Sequence, residues 1–101
     1  MRQGHNSEAL MLLRLSLKHA PDLAVAHYFL GTTLLALGDS RGAERAYREA
    51  DHLDPTDARA LTALCELQTR TGHPLDAKKT GAQLAARFSE PSSKLSAACP
   101  P

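Results

Sequence analysis

Apolar residues recur at spacings of three and four along most of the chain, which is the pattern of amphipathic α-helices. In residues 6–19, Ala9, Leu13 and Leu17 form one stripe at helical spacing. Other apolar side chains of this stretch lie outside the stripe, and a helix that is apolar over most of its circumference requires contacts on more than one face. These further apolar residues are Met11, Leu12 and Leu15.

Glycine and proline divide the pattern into five predicted helices. Gly38 and Gly72 can adopt the left-handed conformation that ends a helix. We expect Pro21 and Pro55 to be the first residues of the second and fourth helices, because the missing N–H of proline costs nothing there. The helices are predicted at residues 6–19, 21–37, 40–53, 55–71 and 74–88.

The last stretch, residues 89–101, differs from the rest in composition. Its sequence is SEPSSKLSAACPP, which is polar, rich in small residues and bounded by proline. Because such a segment cannot bury enough apolar area to offset its ordering entropy, we predict a disordered tail.

Landmark residues recur at a fixed offset of 34 positions. A shared period of this length is the signature of a repeat architecture, in which each unit buries its apolar face against a neighbour. The matched sets are Gly4, Gly38 and Gly72, then Ala9, Ala43 and Ala77, then Pro21 and Pro55.

The central unit is the best matched. Its landmarks are His27, Leu30, Gly31, Leu34, Ala43, Tyr47, Ala50 and Pro55. This spacing resembles the tetratricopeptide repeat, whose pattern is Trp-x2-Leu-Gly-x2-Tyr, then Ala-x3-Phe, then Pro. His27 replaces the Trp and Leu34 the Tyr, and the next unit departs further, with Gly81 at the aromatic position. The resemblance implies an all-α fold, a right-handed α-solenoid of antiparallel helix pairs.

The resemblance extends over residues 4–88 and divides them into a half repeat and two repeats. Because about three repeats are usually needed for a stable array, the terminal helices are expected to leave apolar surface uncovered. The predicted boundaries are 4–21 for the half repeat, 24–57 and 58–88 for the repeats, and 89–101 for the tail.

Charge and hydropathy exclude several classes of partner. The net charge is +1 with neutral histidines, which offers no electrostatic attraction for nucleic acid or an anionic membrane. No segment reaches the ~18 apolar residues of a membrane helix, and no signal peptide is present, so a cytoplasmic location is expected by default. Two cysteines do not make a disulfide framework, and a bridge between Cys65 and Cys99 would require an oxidising compartment. We expect Cys65 to be a free, buried residue of a helix.

No catalytic, cofactor or metal motif is found in the sequence. The five histidines are dispersed, and there is no paired-cysteine motif and no glycine-rich phosphate loop. Glu66 and Arg70 are four residues apart on a predicted helix, which indicates a surface ion pair rather than a catalytic couple. We therefore expect a non-enzymatic protein without a cofactor or bound metal.

The resemblance implies a peptide groove, because in the family the first helix of each pair lines a concave face. The matching positions of the central unit are largely apolar, and those of the next unit are polar and charged. This combination suits a peptide with a hydrophobic anchor and an acidic end. An ordinary solvated face is the alternative. A clamp for a chaperone's C-terminal carboxylate is disfavoured, because Glu66 would repel it. The groove positions are Val25, Tyr28, Thr32 and Leu35, then Arg59, Thr62, Glu66 and Arg70.

The sequence thus predicts a protein-binding module or scaffold whose partner is a protein or peptide. Two alternatives stay open. The exposed terminal helices could pair copies of the chain into a homo-oligomer, or the chain could be the repeat segment of a larger protein whose activity lies outside these residues.

Overall fold

A computed structural model of the chain describes residues 3–88, which form five α-helices joined by short turns. The predicted all-α class is confirmed for this part of the chain. The predicted tail, residues 89–101, lies outside the described residues. The helices are α1 (Gln3–His19), α2 (Ala24–Ala36), α3 (Ser40–Leu53), α4 (Ala58–Arg70) and α5 (Pro74–Arg87).

The helices belong to two compact units. The first unit extends to Pro55, and within it α2 packs against both α1 and α3. The second unit begins at Thr56, and within it α4 packs against α5. The repeat boundaries given by the sequence period stay a prediction.

The helix ends confirm the role predicted for glycine. Gly38 and Gly72 follow α2 and α4 with φ of 90° and 79°, the left-handed conformation that residues with a Cβ rarely adopt. Asp39 caps the next helix, since its Oδ1 accepts a hydrogen bond of 2.9 Å from the Gly42 N–H. Pro74 is the first residue of α5, as predicted.

The starts predicted at the other two prolines are wrong by three residues. Helix α2 begins at Ala24, because the Leu23 N–H donates to the Ala20 carbonyl over 3.2 Å and places Pro21 inside a turn. The second position of a turn suits the fixed φ of proline as well as a helix start does.

Helix α4 begins at Ala58 rather than at Pro55, because its cap is Asp57. The side chain of Asp57 accepts a hydrogen bond of 3.0 Å from the Arg59 N–H. A cap that satisfies an early N–H of the helix sets the start there.

The first unit depends on a close approach of α2 and α3. A Cβ added to Gly31 would lie 2.6 Å from Cε1 of Tyr47, so the ring lies directly against the glycine. On α3, Ala43 is completely buried and Ala50 nearly so. These positions are therefore small because a larger side chain would separate the helices.

The second unit has an apolar core and a buried hydrogen bond between its helices. Leu61 and Leu64 of α4 and Leu84 of α5 are buried. The hydroxyl of Thr80 on α5 donates over 2.7 Å to Oε1 of Gln68 on α4, and both residues are buried. This bond compensates the desolvation of two polar groups inside the core.

We expect Thr80→Val to lower the free energy of unfolding by about 1–3 kcal/mol, because Oε1 of Gln68 would stay buried without its donor. The double variant Thr80→Val/Gln68→Leu should recover most of this loss, since both polar partners are then gone. Urea unfolding measures both changes. A double variant as unstable as the sum of its single substitutions would contradict the interpretation.

Cys65 differs from its prediction in one respect. It is completely buried on α4, as expected, and its sulfur lies 3.1 Å from the carbonyl oxygen of Ala77. It was expected to be free, whereas the structure has it disulfide-bonded. The other cysteine of the sequence, Cys99, lies outside the described residues.

Candidate functional site

Helix α2 exposes a ridge of side chains along one face. Val25, Phe29, Thr32 and Ala36 are all exposed and follow one another at spacings of four, three and four residues. This spacing places them on one side of an α-helix. We call these four residues the α2 ridge. Phe29 is its largest member and is 47% exposed.

An aromatic cluster supports the ridge from behind. The ring of Tyr28 meets Phe29 edge-on, with ring centroids 5.4 Å apart and an interplanar angle of 65°. On its other side Tyr28 lies 5.8 Å from the ring of Tyr47, which is buried on α3. The Tyr47 hydroxyl also lies 3.1 Å from Oγ1 of Thr32. Phe29 is therefore connected through ring contacts to the core of the first unit, which limits its motion.

The structure separates the predicted groove residues of α2 by exposure. Val25 and Thr32 are exposed and belong to the ridge, whereas Tyr28 and Leu35 are half-buried and lie beside it. Phe29 was missed by the groove prediction. Its position four residues after Val25 is the signal that could have found it, because residues i and i+4 share a helix face.

The predicted groove residues of the second unit lie on α4. Arg59, Glu66 and Arg70 are exposed, and their spacing places them on one side of the helix. Thr62 lies between them and is half-buried. Its Oγ1 has no solvent contact and no hydrogen-bond partner among the residues that the structure describes. We call these four residues the α4 face.

Arg59 is already bound to Asp57. Its Nη2 lies 2.7 Å from Oδ2 of Asp57, and its Nε lies 3.0 Å from the same oxygen. The hydrogen bonds from the Arg59 side chain and from its backbone N–H hold the pKa of the Asp57 carboxyl below its usual value. The charge of Arg59 is thus largely offset, although an exposed pair of this kind contributes little to stability.

The predicted ion pair between Glu66 and Arg70 does not form. The ion pairs of the described residues include Arg48 with Glu44 and Arg59 with Asp57. Arg70 is therefore the cation of the α4 face that a ligand can reach without displacing a carboxylate of the chain.

The described residues offer neither a metal-binding cluster nor a membrane-spanning helix. No three His, Cys, Asp or Glu side chains in residues 3–88 are grouped so that they could hold a metal ion. None of the helices described is long and apolar enough to span a membrane.

Comparison with protein families identifies a match for the middle of the chain. Residues 24–67 match the family model described as tetratricopeptide repeat. The match begins with α2, includes all of α3 and extends through most of α4. It therefore contains the whole α2 ridge and, on the α4 face, Arg59, Thr62 and Glu66. No curated protein matches the chain.

Proposed function

We propose that the α2 ridge binds an apolar side chain of a protein or peptide partner, because residues 24–67 match the tetratricopeptide repeat, a module that generally mediates protein–protein interaction. The partner would lie across α2 and bury Phe29 and Val25, with Thr32 offering a hydroxyl at the edge of the contact.

The proposal rests on the exposure of the Phe29 ring and on the ring contacts that hold it in place. An aromatic side chain that is 47% exposed has apolar area to lose on binding. Its contact with Tyr28, and through Tyr28 with Tyr47, restrains the ring before any partner arrives. Preorganised aromatic side chains are the residues from which interfaces draw most of their binding energy, since little entropy is lost on binding.

The α4 face of the second unit supports a separate contact, through charge. Arg70 is exposed and has no carboxylate beside it, so an Asp or Glu of a partner would be attracted to it. Arg59 would contribute less, because Asp57 already occupies its guanidinium group. Glu66 would repel a further acidic residue that a partner places against the α4 face.

We propose a non-enzymatic role. The features that support binding are exposed side chains on helix faces, which suit surface recognition. An enzyme would instead need polar groups that converge on an enclosed substrate.

Selection from a phage-displayed random peptide library tests the proposal, because it does not require that the natural partner be identified first. We expect the peptides selected by the ridge to share an aromatic or large aliphatic residue. Phe29→Ala should weaken the selected peptides about tenfold or more in fluorescence polarisation. Leu75→Ala is the matched control, because Leu75 is an exposed apolar residue of α5 that lies outside the proposed site.

Arg70→Glu measures the charge contribution separately, because Arg70 has no bound carboxylate. This variant should lose peptides that are selected for Asp or Glu and should bind the peptides that depend on Phe29 as the native chain does. Arg59→Glu would be a poorer test, since it would also disturb the Asp57 cap of α4. Equal affinity of the selected peptides for the Phe29→Ala and native chains would refute the proposed role of the ridge.

A further inference from the structure

Helix α1 has an apolar stripe on the side that faces away from its neighbour. Met11, Leu12 and Leu15 are 69%, 63% and 53% exposed, the largest exposures of apolar side chains in the first unit. The opposite side of the helix carries the buried residue Asn6 and packs in the direction of α2. Three large apolar side chains together on one exposed helix face are the usual mark of an interaction surface.

Charged residues lie at both ends of this stripe and on the same side of the helix. At about 100° per residue, Glu8, Leu15 and His19 fall within about 40° of one another around the axis. Glu8 precedes Leu12 by four residues, and His19 follows Leu15 by four. Glu8, Lys18 and His19 are all exposed. The stripe is therefore acidic near its start and basic near its end.

We propose that this face of α1 pairs with the same face of a second copy of the chain, with the two helices antiparallel. A two-fold axis between Leu12 and Leu15 brings Leu12 of one copy opposite Leu15 of the other. The same axis brings Glu8 of each copy opposite His19 and next to Lys18 of the other copy. The charges at the two ends of the stripe are thus complementary to those of a second copy, as a two-fold interface requires.

The charge pattern favours a second copy of the chain over an unrelated apolar helix as the partner of the stripe. A partner without a basic residue beside Glu8 and an acidic one beside Lys18 would leave both ends of the stripe unmatched. Arg14 lies about a quarter turn from the centre of the stripe. At this exposed edge solvent screens its repulsion from Arg14 of the second copy.

The small area of the stripe predicts a weak pairing. Interfaces of standard size bury about 800 Å² per partner, and three side chains on one helix cover less. We therefore expect a concentration-dependent equilibrium with a Kd of about 10–1000 μM, rather than a permanent dimer.

Sedimentation velocity of the full chain tests the pairing over this concentration range. The mass should rise towards that of two chains. Leu12→Glu should raise the Kd about tenfold or more, while circular dichroism shows the helices retained. Leu75→Glu is the matched control, because Leu75 of α5 is 76% exposed and lies outside the stripe, and it should leave the Kd unchanged. A native chain that stays monomeric at about 1 mM would overturn the proposal, as would equal effects of the two substitutions.

A charge exchange tests the antiparallel arrangement. Glu8→Lys and Lys18→Glu should each weaken self-association, because like charges then meet at both ends of the stripe. A mixture of the two variants should pair more tightly than either variant alone, since both ends are again matched. A mixture no tighter than its components would rule out the antiparallel pair. Under reducing conditions, removal of residues 89–101 should leave the Kd unchanged. Self-association that appears only after this removal would make that segment the occupant of the stripe and overturn the proposal.

Discussion

Tyr47→Ala is expected to lower the free energy of unfolding by about 3–5 kcal/mol, the range typical of removing a buried aromatic ring. The ring fills the space between α3 and α2, where it lies against Gly31 and Tyr28. Gly31 has no side chain that could move into the cavity left by the ring. Urea unfolding followed by circular dichroism measures the loss.

Two further variants test the hydroxyl of Tyr47 and the close packing of its ring separately. Tyr47→Phe keeps the ring and loses the contact with Thr32, so it should cost only about 0.5–1.5 kcal/mol. Gly31→Ala should destabilise the native chain, because the added methyl group would overlap the ring.

The sign of the Gly31→Ala effect should depend on residue 47. In the Tyr47→Ala background the overlap is gone, and alanine should stabilise α2 by up to about 1 kcal/mol through its higher helix propensity. Destabilisation of the same size in both backgrounds would show that Gly31 is small for another reason.

Leu84→Ala is the second large effect, with an expected loss of about 2–5 kcal/mol. Leu84 lies in the core between α5 and α4 and is only 3% exposed. Leu75→Ala makes the same chemical change in the same helix at a residue that is 76% exposed, and it should change stability by less than about 0.5 kcal/mol.

Leu84→Ala and Leu75→Ala make the same substitution in the same helix, so the difference between their effects on stability reports the burial of the leucine. Thermal unfolding of both variants beside the native chain gives the difference directly. Similar melting temperatures for the two variants would contradict the burial of Leu84 and the packing of α5 on α4.

The core and the proposed binding site are coupled through Tyr47. Its ring contacts Tyr28, and Tyr28 in turn contacts Phe29 on the ridge. Loss of the Tyr47 ring should therefore weaken peptide binding even under conditions where the variant remains folded. Tyr47→Phe keeps these ring contacts and should bind selected peptides as the native chain does.

The sequence by itself determined the helices and their spacing. Apolar periodicity located all five, and the glycines at 38 and 72 end their helices by a local conformational preference that needs no tertiary contact. The 34-residue period identified the repeat that the family model also matches. The predicted small positions, Gly31 and Ala43, lie at the close approach of α2 and α3.

Local sequence rules did not locate the start of a helix where two rules applied to the same proline. Proline fits both the first position of a helix and the second position of a turn. Pro21 and Pro55 therefore left the helix starts ambiguous. The choice depended on the backbone hydrogen bond of Leu23 in one case and on the Asp57 cap in the other.

Only the tertiary structure decided which side chains of the candidate site are available. Tyr28 and Phe29 are adjacent aromatic residues of one helix, yet Tyr28 is half-buried beside Tyr47 while Phe29 faces solvent. The physical reason is that periodicity assigns a residue to a side of its helix, whereas exposure depends on what packs against that side.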